Sequence, residues 1–398
     1  MPRFADTAIP QSCLSDSWSG TGVNYKIEAN NGDLYWIYMN HNVNDVMFVK
    51  STNGGLSWSN PTTIFAGSAT HLAVWYDRWS NIAAGLIHCA YTESVTDDTL
   101  YRTINTESAD ALSTQTSIFA GASTAANGHL SITRARGGNV LCKTCIDAGA
   151  EGGFFRLPNA NVPNGAWDAA RTIDETLASG DQMILVPGFA ADNQDIMAIF
   201  LDTSASEISR KIYDDSLNSW AEASIATSFT VLASSSGFQN FSAAVDLTNS
   251  RIIVIGWNAT NALNADLLCW TVTESAITAK TDVVTNSTNN QGLCAIGLNT
   301  TTGYWYAFYG GKTSGAETWS TAVNIYYKVS TDTGTTWGSE TQLTETARGT
   351  LSGLFGCPRF AKSKNFSPIH MWDVTSNGAQ QRCSAQLIQS HAAYQLGM

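Results

Sequence analysis

Charge is scarce in this chain. Only 14% of its 398 residues are Asp, Glu, Lys or Arg, where a soluble domain usually carries about a quarter. The 21 basic residues are scattered and the formal net charge is −12. That pattern excludes nucleic acid as a partner, because phosphate binding requires Lys and Arg in clusters. With so few charges the surface must be built largely of Ser, Thr, Asn and Gln. Such a surface suits a protein working outside a cell or in a particle better than a charged cytosolic enzyme. No apolar stretch approaches the length of a membrane span. The first residues, Met1 to Asp6, lack a basic start followed by an apolar run, so no signal peptide is expected. Long helical periodicity is missing as well.

Cysteine chemistry is also thin. Of Cys13, Cys89, Cys142, Cys145, Cys269, Cys294, Cys357 and Cys383, all but the first sit in apolar, strand-like stretches, where a free Cys behaves as a small hydrophobe. Cys142-Lys-Thr-Cys145 lies within a strand, has no second pair and lacks a redox-type βα context. All eight are expected to be reduced.

What is present is β structure and turns. Hydrophobic residues make up 43% and aromatics 10% of the chain, ample for a packed core. The stretch Ser330-Thr-Asp-Thr-Gly-Thr-Thr-Trp337 follows an apolar strand, Asn324 to Val329, and precedes another near Thr341. Gly334 accepts φ > 0 at no steric cost, and Asp332 bonds forward onto the turn's own N–H groups. Ser330 and Thr336 close the loop through their hydroxyls, and Trp337 lays an apolar plate beneath it. Ser51-Thr-Asn-Gly-Gly-Leu-Ser-Trp58 repeats the pattern after the strand Val46 to Lys50, with Asn53 for the Asp, Gly55 in the glycine position and Ser57 for the Thr. Asp215 to Trp220 keeps the Asp-to-Trp spacing but has Leu217 where Gly belongs. Asn164-Gly-Ala-Trp167 is one residue short.

These stretches resemble the Asp-box, the bacterial neuraminidase repeat of sialidase-like β-propellers. The resemblance implies four-stranded blades around a channel. The chain shows the matching period: Ile64-Phe-Ala-Gly67 recurs as Ile118-Phe-Ala-Gly121, each followed by His-Leu. Unit starts fall near Tyr25, His71, His129, Gln182, Phe241, Leu293 and Leu354, roughly 46 to 61 residues apart. The expectation is a single all-β propeller over residues 1–398, seven-bladed, with a short tail at 388–398. The last unit lacks a legible outermost strand, which Thr7 to Pro10 is expected to supply, closing the ring.

In propellers of this class the boxes lie on one face, and the site lies on the other, on loops before strand one and between strands two and three. That places His71, His129, Asp181, Gln239 and Arg348 at the channel mouth, joined by Glu93, Asp97, Asp98, Asp147 and Trp319. Sialidases bind a carboxylate with three arginines; here only Arg348 is well placed, while Arg78, Arg134, Arg136 and Arg359 point to the box face. Sialidase activity is therefore not expected. If the chain is an enzyme on glycans, His71, His129, Glu93 and Asp147 carry the acid–base work of a hydrolase or lyase. Asp97 and Asp98 are candidates for a Ca²⁺ site; no other cofactor is expected. Trp319, Arg348, Asp181 and Gln239 are candidates to hold a sugar.

The reading that accounts for most of this is a non-catalytic, phage-like virion protein with a structural or glycan-binding role. Its partners would be other virion proteins or cell-surface glycans, and its route from the host cytoplasm would need no signal peptide. The alternatives are the glycan-active enzyme and an extracellular protein exported by a non-classical route.

Overall fold

The computed structural model describes residues 24–40, 43–77, 85–121, 130–144, 153–172, 181–230, 241–246, 248–259, 265–287, 294–300, 302–310 and 325–343, together with the strand backbones at 7–8, 369–374 and 380–385. Apolar runs of four to nine residues bounded by turn residues become antiparallel strands, each paired to the next in sequence. Blade one is Asn24–Glu28, Leu34–Met39, Val46–Ser51 and Thr62–Phe65. Blade two is Ala69–Tyr76, Leu86–Glu93, Thr99–Asn105 and Thr116–Phe119. Blade three has three strands, Ser131–Arg134, Val140–Lys143 and Phe154–Leu157, with a single bridge from Phe154 to Arg171 in the outer position. Blade four is Gln182–Pro187, Ile196–Asp202, Glu207–Asp214 and Ser219–Thr227. Blade five is Phe241–Asp246, Arg251–Ala259 and Ala265–Val272, its outer edge split between Ile277–Ala279 and Val284–Ser287. Blade six is Cys294–Asn299, Tyr304–Gly310, Ile325–Ser330 and Thr341–Gln342.

Packing follows from the pattern. Inner strands such as Leu34–Met39 and Gln182–Pro187 are buried along their whole length, because a neighbouring blade covers each face of the sheet. The outer strand Ser219–Thr227 is mostly exposed or half-buried, and its sequence is correspondingly polar. Contiguous apolar clusters join blade two to blades three, four and five in one core. Others join blade three to four and blade five to six.

The ring has six blades, a correction to the expected seven. One cluster holds Tyr306, Phe308, Ile325 and Tyr327 of blade six together with Tyr35, Ile37, Val46 and Phe48 of blade one. Six such blades stand among the described residues. The N-terminal strand Thr7–Ala8 does pair with Gln380–Ala385, which pairs with Ile369–Val374. That three-stranded sheet is separate from the six. The proposed start near Leu354 lies outside the described residues.

The turns between third and fourth strands hold themselves together. In blade six, Asp332 Oδ1 accepts from the Thr336 N–H at 2.9 Å and from Ser330 Oγ at 2.8 Å, and Oδ2 accepts from Thr336 Oγ1 at 2.7 Å. The Gly334 N–H donates to Ser330 Oγ at 2.7 Å. Blade one repeats the wiring: Asn53 Oδ1 accepts from the Ser57 N–H at 3.0 Å and Ser51 Oγ at 2.9 Å, while the Gly55 N–H donates to Ser51 Oγ at 2.8 Å. Gly334 and Gly55 have φ of 81° and 90°, conformations that favour glycine.

Blade four solves the same turn differently. Asp214, not Asp215, accepts from the N–H groups of Ser216 and Leu217, both at 2.9 Å, and Asn218 takes the left-handed position with φ 51°. Asp215 is instead paired with Arg156 at 2.8 Å and Arg171 at 3.3 Å in blade three. The tryptophans of these turns tie blades together: Trp337 Nε1 donates to the Thr281 carbonyl of blade five, and Trp220 Nε1 to the Thr172 carbonyl, each at 2.9 Å. Trp167 stands edge-on to Tyr101 of blade two, with centroids 5.3 Å apart. Cys89, Cys142, Cys269 and Cys294 are buried free thiols; burial pushes the thiols of Cys89, Cys269 and Cys294 up, out of the reactive range.

Candidate functional site

Strand direction separates the two ends of the ring. First strands begin, and second strands finish, at the end opposite the turns just described. Of the residues expected there, His129, Asp147, Gln239, Trp319 and Arg348 lie outside the described residues. His71, Glu93, Asp97, Asp98 and Asp181 are described.

The acids at this end bond to the loops that carry them. Asp98 Oδ1 accepts the Gly121 N–H at 2.8 Å, and in blade one Asp45 Oδ1 accepts the Gly67 N–H at 2.9 Å. The two glycines are the last residues of the repeated Ile-Phe-Ala-Gly. In each case the preceding residue, Asp97 or Asn44, has φ 57°, which Asp and Asn tolerate better than most residues. Sequence repeat and loop geometry are thus one device used twice. Glu93 accepts from Thr96 Oγ1 at 2.8 Å within its own loop. Asp181, buried just before the first strand of blade four, accepts the N–H and the hydroxyl of Thr203 at 2.8 Å each. Among the described residues no three His, Cys, Asp or Glu are grouped to hold a metal ion.

His71 is different. It is the third residue of the first strand of blade two, pairs in register with Thr92, and is only 1% exposed. Its Nδ1 lies 3.0 Å from Thr70 Oγ1, and its Nε2 is buried with no hydrogen-bond partner. Burial, and secondarily the positive charge of Lys143, lower its pKa to about 4, so the imidazole is neutral near pH 7. Lys143 ends the second strand of blade three in register with Ser131, whose hydroxyl accepts the Leu185 N–H of blade four at 3.1 Å. Gln182 opens the first strand of blade four; it is buried, and its Nε2 has no partner. Lys143, Thr70 and Gln182 were missed by the sequence reading. The available signal was a polar side chain inside an otherwise apolar strand.

The described arginines are committed elsewhere. Arg134 forms a buried pair with Asp77 at 2.8 Å and also donates to the Gly138 carbonyl and Asn159 Oδ1, both at 3.0 Å. Beside it His88 Nδ1 lies 2.6 Å from the Tyr101 hydroxyl, and burial with the Arg134 charge lowers the pKa of His88. Arg136 donates to the Phe189 carbonyl, Arg210 to that of Thr273 and Arg102 to those of Ser113 and Ile64. Arg156 and Arg171 share Asp215, and Arg251 pairs with Asp246 at 2.8 Å. Arg134 and Arg136 do lie towards the box end, as expected.

No family model and no curated protein matches the chain. Among solved structures it is similar to the Saccharomyces cerevisiae core factor at 9% identity and a TM-score of 0.52, covering 98% of this chain and 62% of that one. It is also similar to a Hadza microbial sialidase (12% identity, TM-score 0.48, 96% and 68% covered) and to a leech intramolecular trans-sialidase (11%, 0.47, 78% and 67%). The chain thus spans 62% to 68% of these neighbours' own lengths. At such identities a likeness speaks to fold alone.

Proposed function

We propose that the chain is a non-catalytic, sialidase-like propeller that binds glycans at the end of the ring carrying His71, and that its self-bonded turns are Asp-boxes. The observation that carries the reading is the fate of the arginines: all seven with described side chains, Arg102, Arg134, Arg136, Arg156, Arg171, Arg210 and Arg251, bond to protein acceptors. A sialidase grips its substrate carboxylate with three arginines free of such bonds, and among the described residues none is free in that way. The uncharged polar surface supports placement in a virion, where partners would be other particle proteins and host glycans. The full chain should bind on a glycan array and leave a fluorogenic sialoside intact. Steady release of the fluorophore, scaling with protein and surviving repurification, refutes the reading.

One observation favours the second reading, an enzyme on glycans: His71 is a neutral imidazole with an unpartnered nitrogen, the state a general base requires. Sugar release or unsaturated product from a polysaccharide panel, lost in His71→Gln, would establish it.

A further inference from the structure

The repeated Ile-Phe-Ala-Gly ends the outer strands of blades one and two, and its phenylalanine meets two different fates. In each copy the isoleucine is an extra residue in the strand pairing. Phe65 lies opposite Val46 and Thr63 opposite Met47, while Phe119 lies opposite Thr99 and Ser117 opposite Leu100. A bulge of this kind re-aims the side chains beside it. In blade one the Phe65 ring folds back over Gly67, where a Cβ would stand 2.7 Å from it. There it stacks on Tyr91 of blade two, with centroids 4.8 Å apart, and is buried. In blade two a Cβ at Gly121 meets nothing within 4 Å. The Phe119 ring turns instead to Phe155 of blade three, with centroids 5.2 Å apart, and remains 40% exposed. It is the only aromatic among the large apolar side chains exposed in the described residues.

The ring is firmly mounted. Phe155 is buried and belongs to the core that joins blade two to blade three. Two residues beyond Phe119, the Gly121 N–H is held by Asp98 at 2.8 Å. The loop that carries Asp98 leads into Thr99, the residue opposite Phe119. On that loop Ser94 and Thr96 are exposed, and the Asp97 carboxylate has no hydrogen-bond partner among the described residues.

An aromatic face near an unspent carboxylate suits a pyranose. The C–H bonds of a sugar ring, positive at hydrogen, rest on the negative face of a π system. Hydroxyls at the edge of the sugar donate to the carboxylate, which only accepts. A protein partner fits less well, because it needs about 800 Å² on each side with an apolar centre. Among the described residues of blade two, Phe119 and Val95 are the only large apolar side chains exposed.

We propose that Phe119 is the stacking platform for a pyranose ring and Asp97 an acceptor for its hydroxyls. The glycan then lies on the rim of blade two, at the outer strand, and not in the channel. The inference rests on the glycan-binding reading and names the surface of that end of the ring which carries it.

The test uses the full chain, with lactose and cellotetraose as probes beside the glycan array. In saturation-transfer spectra, irradiating the aromatic protons should mark the C–H protons of one sugar face. Phe119→Leu keeps an apolar side chain but removes the π face, and should weaken binding about tenfold or more. Phe119→Trp keeps a π face and should retain binding, which separates a lost platform from a lost fold. Asp97→Asn should weaken binding several-fold, and His71→Leu should leave it unchanged. Equal binding by Phe119→Leu and wild type overturns the inference, as does loss of binding in His71→Leu with Phe119→Leu unaffected. A wild type that dimerises in sedimentation velocity, with Phe119→Leu monomeric, seats the ring against a second copy and also overturns it. Wild type that holds no array glycan removes the proposed function itself. Wild type that holds one, with Phe119→Leu holding it as tightly, removes only this inference.

Discussion

Replacing Asp77 by Asn tests the buried charge that joins blades two and three. The Asp77 and Arg134 side chains are 1% and 2% exposed and meet at 2.8 Å. The substitution keeps shape and one acceptor oxygen but leaves the guanidinium charge uncompensated, because the other acceptors of Arg134, the Gly138 carbonyl and Asn159 Oδ1, are neutral. Orphaning one partner of a buried pair costs about 3–5 kcal/mol, whereas removing both partners is often close to neutral. With an unfolding entropy of about 2.1 cal/mol/K per residue, a chain of this length loses about 4–6 °C in Tm. Urea unfolding of wild type, Asp77→Asn, Arg134→Met and the double variant completes the cycle, and the double should cost clearly less than the sum of the singles. The reasoning is refuted if Asp77→Asn costs under about 1 kcal/mol, or if its cost shrinks with added salt as that of an exposed pair does.

Three further outcomes are expected. Gly334→Ala should destabilise more than Gly32→Ala: both have φ above 80°, but a Cβ at Gly334 meets the Trp305 ring at 2.6 Å while that at Gly32 meets nothing within 4 Å. Gly32→Ala should cost about 1–2 kcal/mol for the left-handed backbone alone, and thermal melts rank the pair. Trp220→Phe should cost about 1 kcal/mol beyond its lost area, for the bond to Thr172. Trp58→Phe should not, because Trp58 Nε1 has no partner. His71, whose pKa is lowered from 6.5 to about 4 in the fold, is protonated more readily in the unfolded chain between those values. Its contribution is complete above pH 6.5 and is lost as pH falls towards 4, roughly 3 kcal/mol in all; His71→Gln should flatten that part of the Tm-versus-pH curve.

Strands were legible because a blade covered on both faces writes an apolar run, as Leu34–Met39 and Tyr304–Gly310 do. The number of blades was not, because it depends on which faces meet. The unit after Leu354 spells strands as clearly as the others, yet its strands Ile369–Val374 and Gln380–Ala385 join Thr7–Ala8 in a three-stranded sheet apart from the six blades. The turn at Asp214 was misread by one residue for a similar reason. Spacing to Trp220 selected Asp215, but the left-handed position falls on Asn218 and the third-dimension partners Arg156 and Arg171 claim the second Asp. At the mouth, His71 was visible as a polar residue opening an apolar strand. Lys143 and Gln182 were not read as site residues, since nothing in the linear order places Lys143 near His71 or leaves Gln182 without a partner.

An orphan nitrogen is not by itself a binding position, and His88 shows why. Its Nε2 is as buried and as unpartnered as that of His71. The other ring nitrogen of His88 meets the Tyr101 hydroxyl at 2.6 Å, and that hydroxyl can donate or accept, so either tautomer of His88 is possible. The hydroxyl beside His71, that of Thr70, has a second acceptor in the Thr92 carbonyl at 3.3 Å. Position adds to the contrast. His88 lies near the start of a second strand, at the box end, beside the Asp77–Arg134 pair and under Tyr101, which Trp167 covers edge-on. His71 lies near the start of a first strand, at the end where Asp45 and Asp98 brace the loops of blades one and two. The first is a nitrogen sealed into an inter-blade joint; the second lies at the end of the ring opposite the box turns.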